Sequence, residues 1–179
     1  MPRKPLARDK LLEAFEHIVL TDGERAATLD AVAAAAGVSK GGLLYHFPHR
    51  QGLVDAMLVN LESLAAEDLE RLTASPRGAA REFLATSLYE DSALDRALIV
   101  ASRLIQAGDD AARAAYAGIE KNWLTVVLED VGDPVVATAV VCMGDGLYQQ
   151  ASMGLLPESS AQKQKTLEQL MAALDRLTA

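Results

Sequence analysis

Apolar residues recur along this chain with the period of an α-helix, and no stretch alternates apolar and polar residues as a half-buried strand would. Leu11, Ala14, Phe15, Ile18 and Val19 share one face and predict a first helix that ends near Thr21-Asp22-Gly23. Leu29, Val32, Ala33 and Ala36 follow at i, i+3, i+4 and i+7. Thr28 precedes them as a good N-cap, because its hydroxyl can accept from an orphan backbone N–H. Gly37 stands where that helix should end in a left-handed residue, a conformation glycine reaches without steric penalty. Val38 can plug the core beneath the turn, and Ser39 can cap a further helix opening with Lys40, Gly41 and Gly42. Two short helices about a glycine turn predict a helix-turn-helix.

The rest of the chain reads as longer helices. Leu53, Met57, Leu58, Leu61, Leu64, Ala65 and Leu72 predict one extended helix that breaks at Ser75-Pro76-Arg77-Gly78. Ser75 and Pro76 read as N-cap and first position of the next helix, which buries Phe83, Leu84 and Leu88. A turn at Glu90-Asp91-Ser92 leads to a stripe of Leu94, Ala97, Leu98, Ala101, Leu104 and Ile105 that stops at Gly108. Asp109-Asp110 caps a helix with Ala112, Ile119, Trp123 and Val127 on its apolar side, ended by Gly132. Asp133-Pro134 opens a helix from Val135 to about Met153. It is apolar over much of its circumference, so it needs partners on more than one side. Gly154 and Pro157 end it, and Ser159-Ser160 opens a last helix carrying Leu167, Leu170, Met171, Leu174 and Leu177. The fold class is all-α, with about nine helices and no internal repeat.

The second helix of the motif offers groups suited to a DNA groove. Lys40 brings charge, Gly41 and Gly42 bare backbone, and Tyr45 and His46 polar tips on flat rings. Two glycines at a helix start pack nothing and cost about 0.8–1 kcal/mol each relative to alanine, which argues against a purely internal helical hairpin. Arg50, just after the turn Pro48-His49, can meet a phosphate at the start of the next helix.

The order Thr28, Val32-Ala33, Ala36-Gly37-Val38-Ser39-Lys40-Gly41, Leu43, Tyr45-His46-Phe47, Arg50 and Leu53 resembles the DNA-binding domain of TetR-family transcriptional repressors. The likeness covers roughly the first third of the chain. It implies a helix-turn-helix DNA-binding domain over 1–52 and an all-helical ligand-binding and dimerisation domain over 53–179. It also implies a homodimer through the last two helices and a palindromic operator on double-stranded DNA. By this resemblance Thr28, Ser39, Lys40, Gly41, Tyr45, His46 and Arg50 fall where the family touches DNA, and Gly42 lies among them. Gly42 stands where the family often has Thr, Leu44 where it often has Tyr, and Arg50 where Lys is usual. The operator sequence therefore does not carry over from a relative. A ligand pocket follows from the resemblance as well. Met57, Leu61, Phe83, Tyr116, Trp123, Met143 and Tyr148 are its candidate lining, with Arg103 and Gln106 as the polar members. The effector is an unidentified small molecule, and no cofactor is implied.

Charge qualifies this picture. The chain of 179 residues carries a net −8, which at first opposes DNA binding. Residues 1–60 hold seven basic and seven acidic side chains, so the whole deficit falls on the rest. An acidic body repels phosphate and leaves the neutral head as the favourable face. Arg3, Lys4, Arg8 and Lys10 should add affinity through counterion release. The lone cysteine, Cys142, excludes an intrachain disulfide framework, suits a reducing cytoplasm, and reads as a buried small hydrophobe. Asp145, the unusual charge in the apolar eighth helix, reads as a ligand or dimer contact or as the solvated edge of an interface.

No enzyme signature is found: no glycine-rich phosphate loop, no zinc-ligand spacing, no histidine beside a nucleophile. His46 and His49 are spaced for a shared metal, but Pro48 breaks the helix that would align them; no metal site is expected. No signal peptide or membrane span is expected either. The sequence thus points to a ligand-responsive, homodimeric repressor released from its operator by a small molecule. The alternative is a helical small-molecule or protein-binding module that keeps the head as scaffold without specific DNA binding.

Overall fold

The computed structural model describes residues 7–156 and 159–179, so the expectations for Arg3, Lys4 and Pro157 lie outside the described residues. Those residues form α1 (Ala7–Asp22), a 3-10 turn (Glu24–Ala26), α2 (Leu29–Ala36), α3 (Lys40–His46), α4 (Arg50–Thr73), α5 (Ala79–Thr86), α6 (Ala93–Gln106), α7 (Asp110–Val131), α8 (Pro134–Ser152) and α9 (Ser160–Leu177). Among the described residues there is no strand. They divide into two compact units, Met1–Leu64 with Ala93–Ala117, and Ala65–Ser92 with Gly118–Ala179. The stretch 1–52 lies within the first unit, which also takes the following twelve residues of α4, all of α6 and the start of α7.

The first unit is held by the stripe read from the sequence. Leu11, Phe15 and Val19 of α1, Val32 of α2 and Leu43 of α3 are fully or almost fully buried. So are Leu53, Met57 and Leu61 of α4 and Ala97, Ala101 and Leu104 of α6. Helix α6 also completes α1. The last turn of α1 has no basic residue, and the Arg103 guanidinium of α6 donates to the carbonyls of Val19 at 2.5 Å and Leu20 at 2.6 Å. A cation at a helix C-terminus satisfies orphan carbonyls and opposes the negative end of the dipole. At the next turn Gly108 has φ +91, and the Asp109 carboxylate accepts from the Ala112 N–H at 2.8 Å to cap α7.

The second unit is built on close approach. Helix α5 lies against α8 at Gly144, where a β-carbon would stand 2.3 Å from Phe83 Cε1 and 2.7 Å from Ser87 Oγ. Phe83 in turn tilts against Trp123 with ring centroids 5.9 Å apart. The Trp123 indole donates to Asp68 at 3.1 Å, which satisfies the polar tip of a buried ring. Asp133 caps α8 as expected, accepting from Val135 N–H at 2.7 Å and Val136 N–H at 3.1 Å.

Three expectations fail here, one of them Leu88, which lies beyond the end of α5 at Thr86 and is only half-buried. Ser75 and Pro76 do not open α5, which begins at Ala79 after Gly78 at φ +87. Its cap comes from elsewhere: the Asp130 carboxylate of α7 accepts from the Ala80 N–H at 2.9 Å. That carboxylate fills the space a Gly78 side chain would need. Ser75 instead donates to Glu82 at 2.9 Å, in a cluster where Glu82 also meets Arg71 at 3.0 Å and Arg77 at 2.6 Å. The third failure is Cys142, which is exposed on α8 and not a buried hydrophobe. A helix apolar nearly all round does not disclose which face it buries; here it buries Ala137, Val140, Val141, Gly144 and Leu147.

The contact at Gly144 sets a test. Gly144→Ala should destabilise the protein by about 1–3 kcal/mol through overpacking against Phe83. Gly118→Ala, where nothing lies within 4 Å, should be neutral or gain up to about 1 kcal/mol of helix propensity. Urea unfolding of both variants checks the contrast, and equal midpoints would contradict it.

Candidate nucleic-acid interface

Helix α3 is short, and its local chemistry sets its start and stop. Thr28 Oγ1 accepts from the Ala31 N–H at 3.2 Å and opens α2. Gly37 closes α2 at φ +65. Ser39 Oγ then accepts from the Gly42 N–H at 3.1 Å and opens α3. A β-carbon at Gly42 would stand 3.0 Å from Val38 Cγ1 and 3.2 Å from that Ser39 hydroxyl, so glycine leaves room for the capped turn. Each cap is worth about 1 kcal/mol. Leu43 and Phe47 turn inward and are buried. The opposite face is open: Tyr45 is 84% exposed, Leu44 is 38% exposed, and Gly41 meets nothing within 4 Å. Tyr45 packs edge-on to His46 with centroids 5.1 Å apart. Lys40 Nζ lies 2.8 Å from Asp30 of α2.

Thr28, Ser39, Lys40, Gly41, Gly42, Tyr45 and His46 are therefore gathered on and around α3. Arg50 is arranged otherwise. Its Nε donates to the Ala27 carbonyl and its Nη2 to the Glu24 carbonyl, both at 3.2 Å, and it pairs with the Glu24 carboxylate at 2.7 Å. The guanidinium also stacks over Phe15 at 5.7 Å. Arg50 thus ties the start of α4 to the α1–α2 connection. His49 acts nearby as a cap, its Nδ1 accepting from the Gly52 N–H at 3.1 Å. Arg8 stacks over Phe47 at 5.4 Å. Among the described residues no group of three or more His, Cys, Asp or Glu is arranged to hold a metal, and no helix is long and apolar enough to cross a membrane.

The ligand candidates divide between the two units. Met57, Leu61, Arg103, Gln106 and Tyr116 belong to the first unit; Phe83, Trp123, Met143 and Tyr148 belong to the second. Met57 and Leu61 are core, Gln106 is exposed, and Arg103 is the helix cap already described. In the second unit a groove of about 360 Å³ lies between α5 and α9, lined by Arg77, Arg81, Ala85, Leu167 and Met171 among others. None of the nine candidates lines it. The sequence reading also missed Glu120. Half-buried on α7, it has its carboxyl pushed up to about 7, first by burial and second by Asp145 of α8. Burial raises Asp145 as well. No spacing rule links positions 120 and 145; only the packing of the second unit does.

Two outcomes follow from this geometry. Arg50→Ala should destabilise the protein by about 2 kcal/mol, because two carbonyls and the Glu24 carboxylate lose a charged donor together. Arg50→Lys should recover only part of that, having no planar fork; thermal unfolding checks the order. For Glu120, the folded chain keeps the proton up to about pH 7 while the unfolded chain releases it near 4.5. The folded state binds more protons in that window, so stability should fall as pH rises through it. Glu120→Gln should flatten this dependence and raise the melting temperature at pH 8. An unchanged pH profile in the variant would refute the assignment.

Comparison with known proteins places these features in a family. The model described as "Bacterial regulatory proteins, tetR family" matches residues 11–57, which hold α1 from Leu11, α2, α3 and the start of α4. The model described as "Tetracyclin repressor-like, C-terminal domain" matches residues 77–175. No curated protein matches the sequence. Among solved structures, a TetR-family transcriptional regulator from Rhodococcus sp. superposes with a TM-score of 0.71 at 22% identity, over 97% of this chain and 99% of that one. The multidrug binding protein EbrR, complexed with malachite green, gives 0.67 at 21% identity over 94% and 98%. Salmonella enterica GusR gives 0.65 at 15% identity over 97% and 98%. At these identities the likeness speaks for the fold. The family models, one on the helix-turn-helix and one over more than half of the chain, carry the further conclusion: this protein belongs to the tetR family of bacterial regulatory proteins and is a DNA-binding transcriptional regulator, not an enzyme.

Proposed function

We propose that the chain is a cytoplasmic, homodimeric repressor that holds a palindromic operator and is released from it by a small molecule. The observation that carries the DNA part is the open face of α3. A tyrosine, a lysine and a bare glycine backbone stand in solvent on a helix that Ser39 caps and whose other face is fixed by Leu43 and Phe47. Such a face is free to enter a major groove. In this reading DNA binding belongs to residues 1–52, with Lys40, Tyr45 and His46 on bases or phosphates and Thr28 and Ser39 along the backbone.

Residues 53–179 supply dimerisation and ligand binding. Helix α8 leaves Val135 and Cys142 exposed, as is Met153 just after it, and Leu167, Leu170 and Met171 of α9 are only half covered. A second copy on these two helices would bury that surface and set two α3 helices at half-sites roughly 34–36 Å apart. EbrR's complex with malachite green supports a small-molecule site in the helical body, with Phe83, Trp123, Met143 and Tyr148 as its nearest candidates here. Release is a population shift: the effector must favour a body conformation that moves α4, since a ligand binding both states equally shifts nothing.

Purified protein mixed with genomic fragments at near-physiological salt should recover a palindromic site. Lys40→Ala with Tyr45→Ala should abolish that recovery while sedimentation still shows a dimer. Recovery of the same fragments by both proteins would overturn the assignment of α3.

A further inference from the structure

Helix α3 carries one lysine and no arginine. That lysine is not free. Lys40 Nζ lies 2.8 Å from Asp30 Oδ1 and 3.1 Å from Asp30 Oδ2, so both carboxylate oxygens face one ammonium. Asp30 stands in the first turn of α2, where the positive end of the helix dipole favours a carboxylate and the Thr28 cap fixes the backbone. The pair therefore joins the two helices of the motif on their solvent side. Its side chains are 61% and 71% exposed, so it keeps its water and is held weakly. It is easily exchanged for a better anion.

We propose that Asp30 is a specificity-determining residue that restrains Lys40 from binding DNA phosphates indiscriminately. This inference rests on the reading of α3 as the DNA-facing helix. Generic affinity for duplex DNA grows with the number of phosphates neutralised and the counterions released. A lysine already neutralised by a neighbouring carboxylate releases little when it meets a phosphate at random. A phosphate held in place by other contacts, with Tyr45 and the Gly41 backbone seated on the right bases, can displace Asp30. Lys40 then contributes at the correct site and little elsewhere. The neutral charge of residues 1–60 fits the same economy, since this head draws little on generic attraction.

The test needs no knowledge of the operator. Binding of a mixed-sequence DNA duplex is followed by fluorescence anisotropy between about 50 and 200 mM salt, where phosphate contacts are legible as a slope. Asp30→Asn keeps the shape and removes the charge. It should tighten generic binding about threefold to tenfold at the lower salt and steepen the salt dependence by about one phosphate equivalent. Asp30→Glu, which keeps the charge, should bind as the natural chain does. In a Lys40→Ala background Asp30→Asn should change nothing. If Asp30→Asn tightens binding equally with and without Lys40, the carboxylate acts only through the general field and the proposal fails. If Lys40→Ala weakens binding while Asp30→Asn leaves it unchanged, the pair imposes no restraint and the proposal also fails. If neither substitution alters binding, it is the DNA-facing reading of α3 that falls, and the proposal with it.

Discussion

The first unit depends on where one guanidinium goes. Arg50 begins α4, yet its donors reach back to the carbonyls of Glu24 and Ala27 and to the Glu24 carboxylate, over the face of Phe15. Those contacts bind together the middle of α1, the α1–α2 connection and the start of α4. Beside that frame α2 and α3 meet about Gly37 with Leu43 and Phe47 inward and Tyr45 outward. A lysine offers one point of charge where this site uses a fork, which accounts for arginine at a position where the resemblance leads one to expect lysine. In this structure its charge is engaged in the contacts that frame the start of α4.

The same pattern recurs through the molecule. Helix ends that local sequence leaves open are completed from other helices. Arg103 satisfies the last carbonyls of α1, and Asp130 caps α5. Glu82 collects Arg77, Ser75 and Arg71, and hydrogen bonding from Arg77, foremost, holds its carboxyl below the usual range. Against these satisfied charges stands the Glu120–Asp145 pair, where two carboxyls share a crowded part of the second unit and both are pushed up. Lys40 and Asp30 differ again, being paired but open to water and hence exchangeable.

How much of this the sequence disclosed follows from the distance over which each feature is determined. Caps and turns set within four residues were legible: Thr28 on Ala31, Ser39 on Gly42, Asp133 on Val135, and the glycine stops at Gly37, Gly108, Gly132 and Gly154. So was the open face of α3, because a seven-residue helix that buries Leu43 and runs into a buried Phe47 has only one way to turn. Features set by partners far along the chain were not. Arg50 acts across 23 and 26 residues, Arg103 across 83 and 84, and Asp130 across 50. Ser75-Pro76 looked like a helix start by local rules and lost to Gly78 and Asp130. Cys142 misled because an apolar helix in isolation has no marked inside. The pairing of Lys40 with Asp30 was within reach, since both lie on the motif, but spacing alone does not show that two helices aim them together.

The claim at the centre of this account is that the frame closed by Arg50 exists to present α3 to DNA. Hydrogen exchange of the protein with and without a DNA duplex at low salt tests it most directly, because it reads the backbone of every helix at once. The account predicts added protection over residues 28–47, together with the adjoining starts of α1 and α4, and none along α8 and α9. Unchanged exchange on α3 beside protection elsewhere would contradict it.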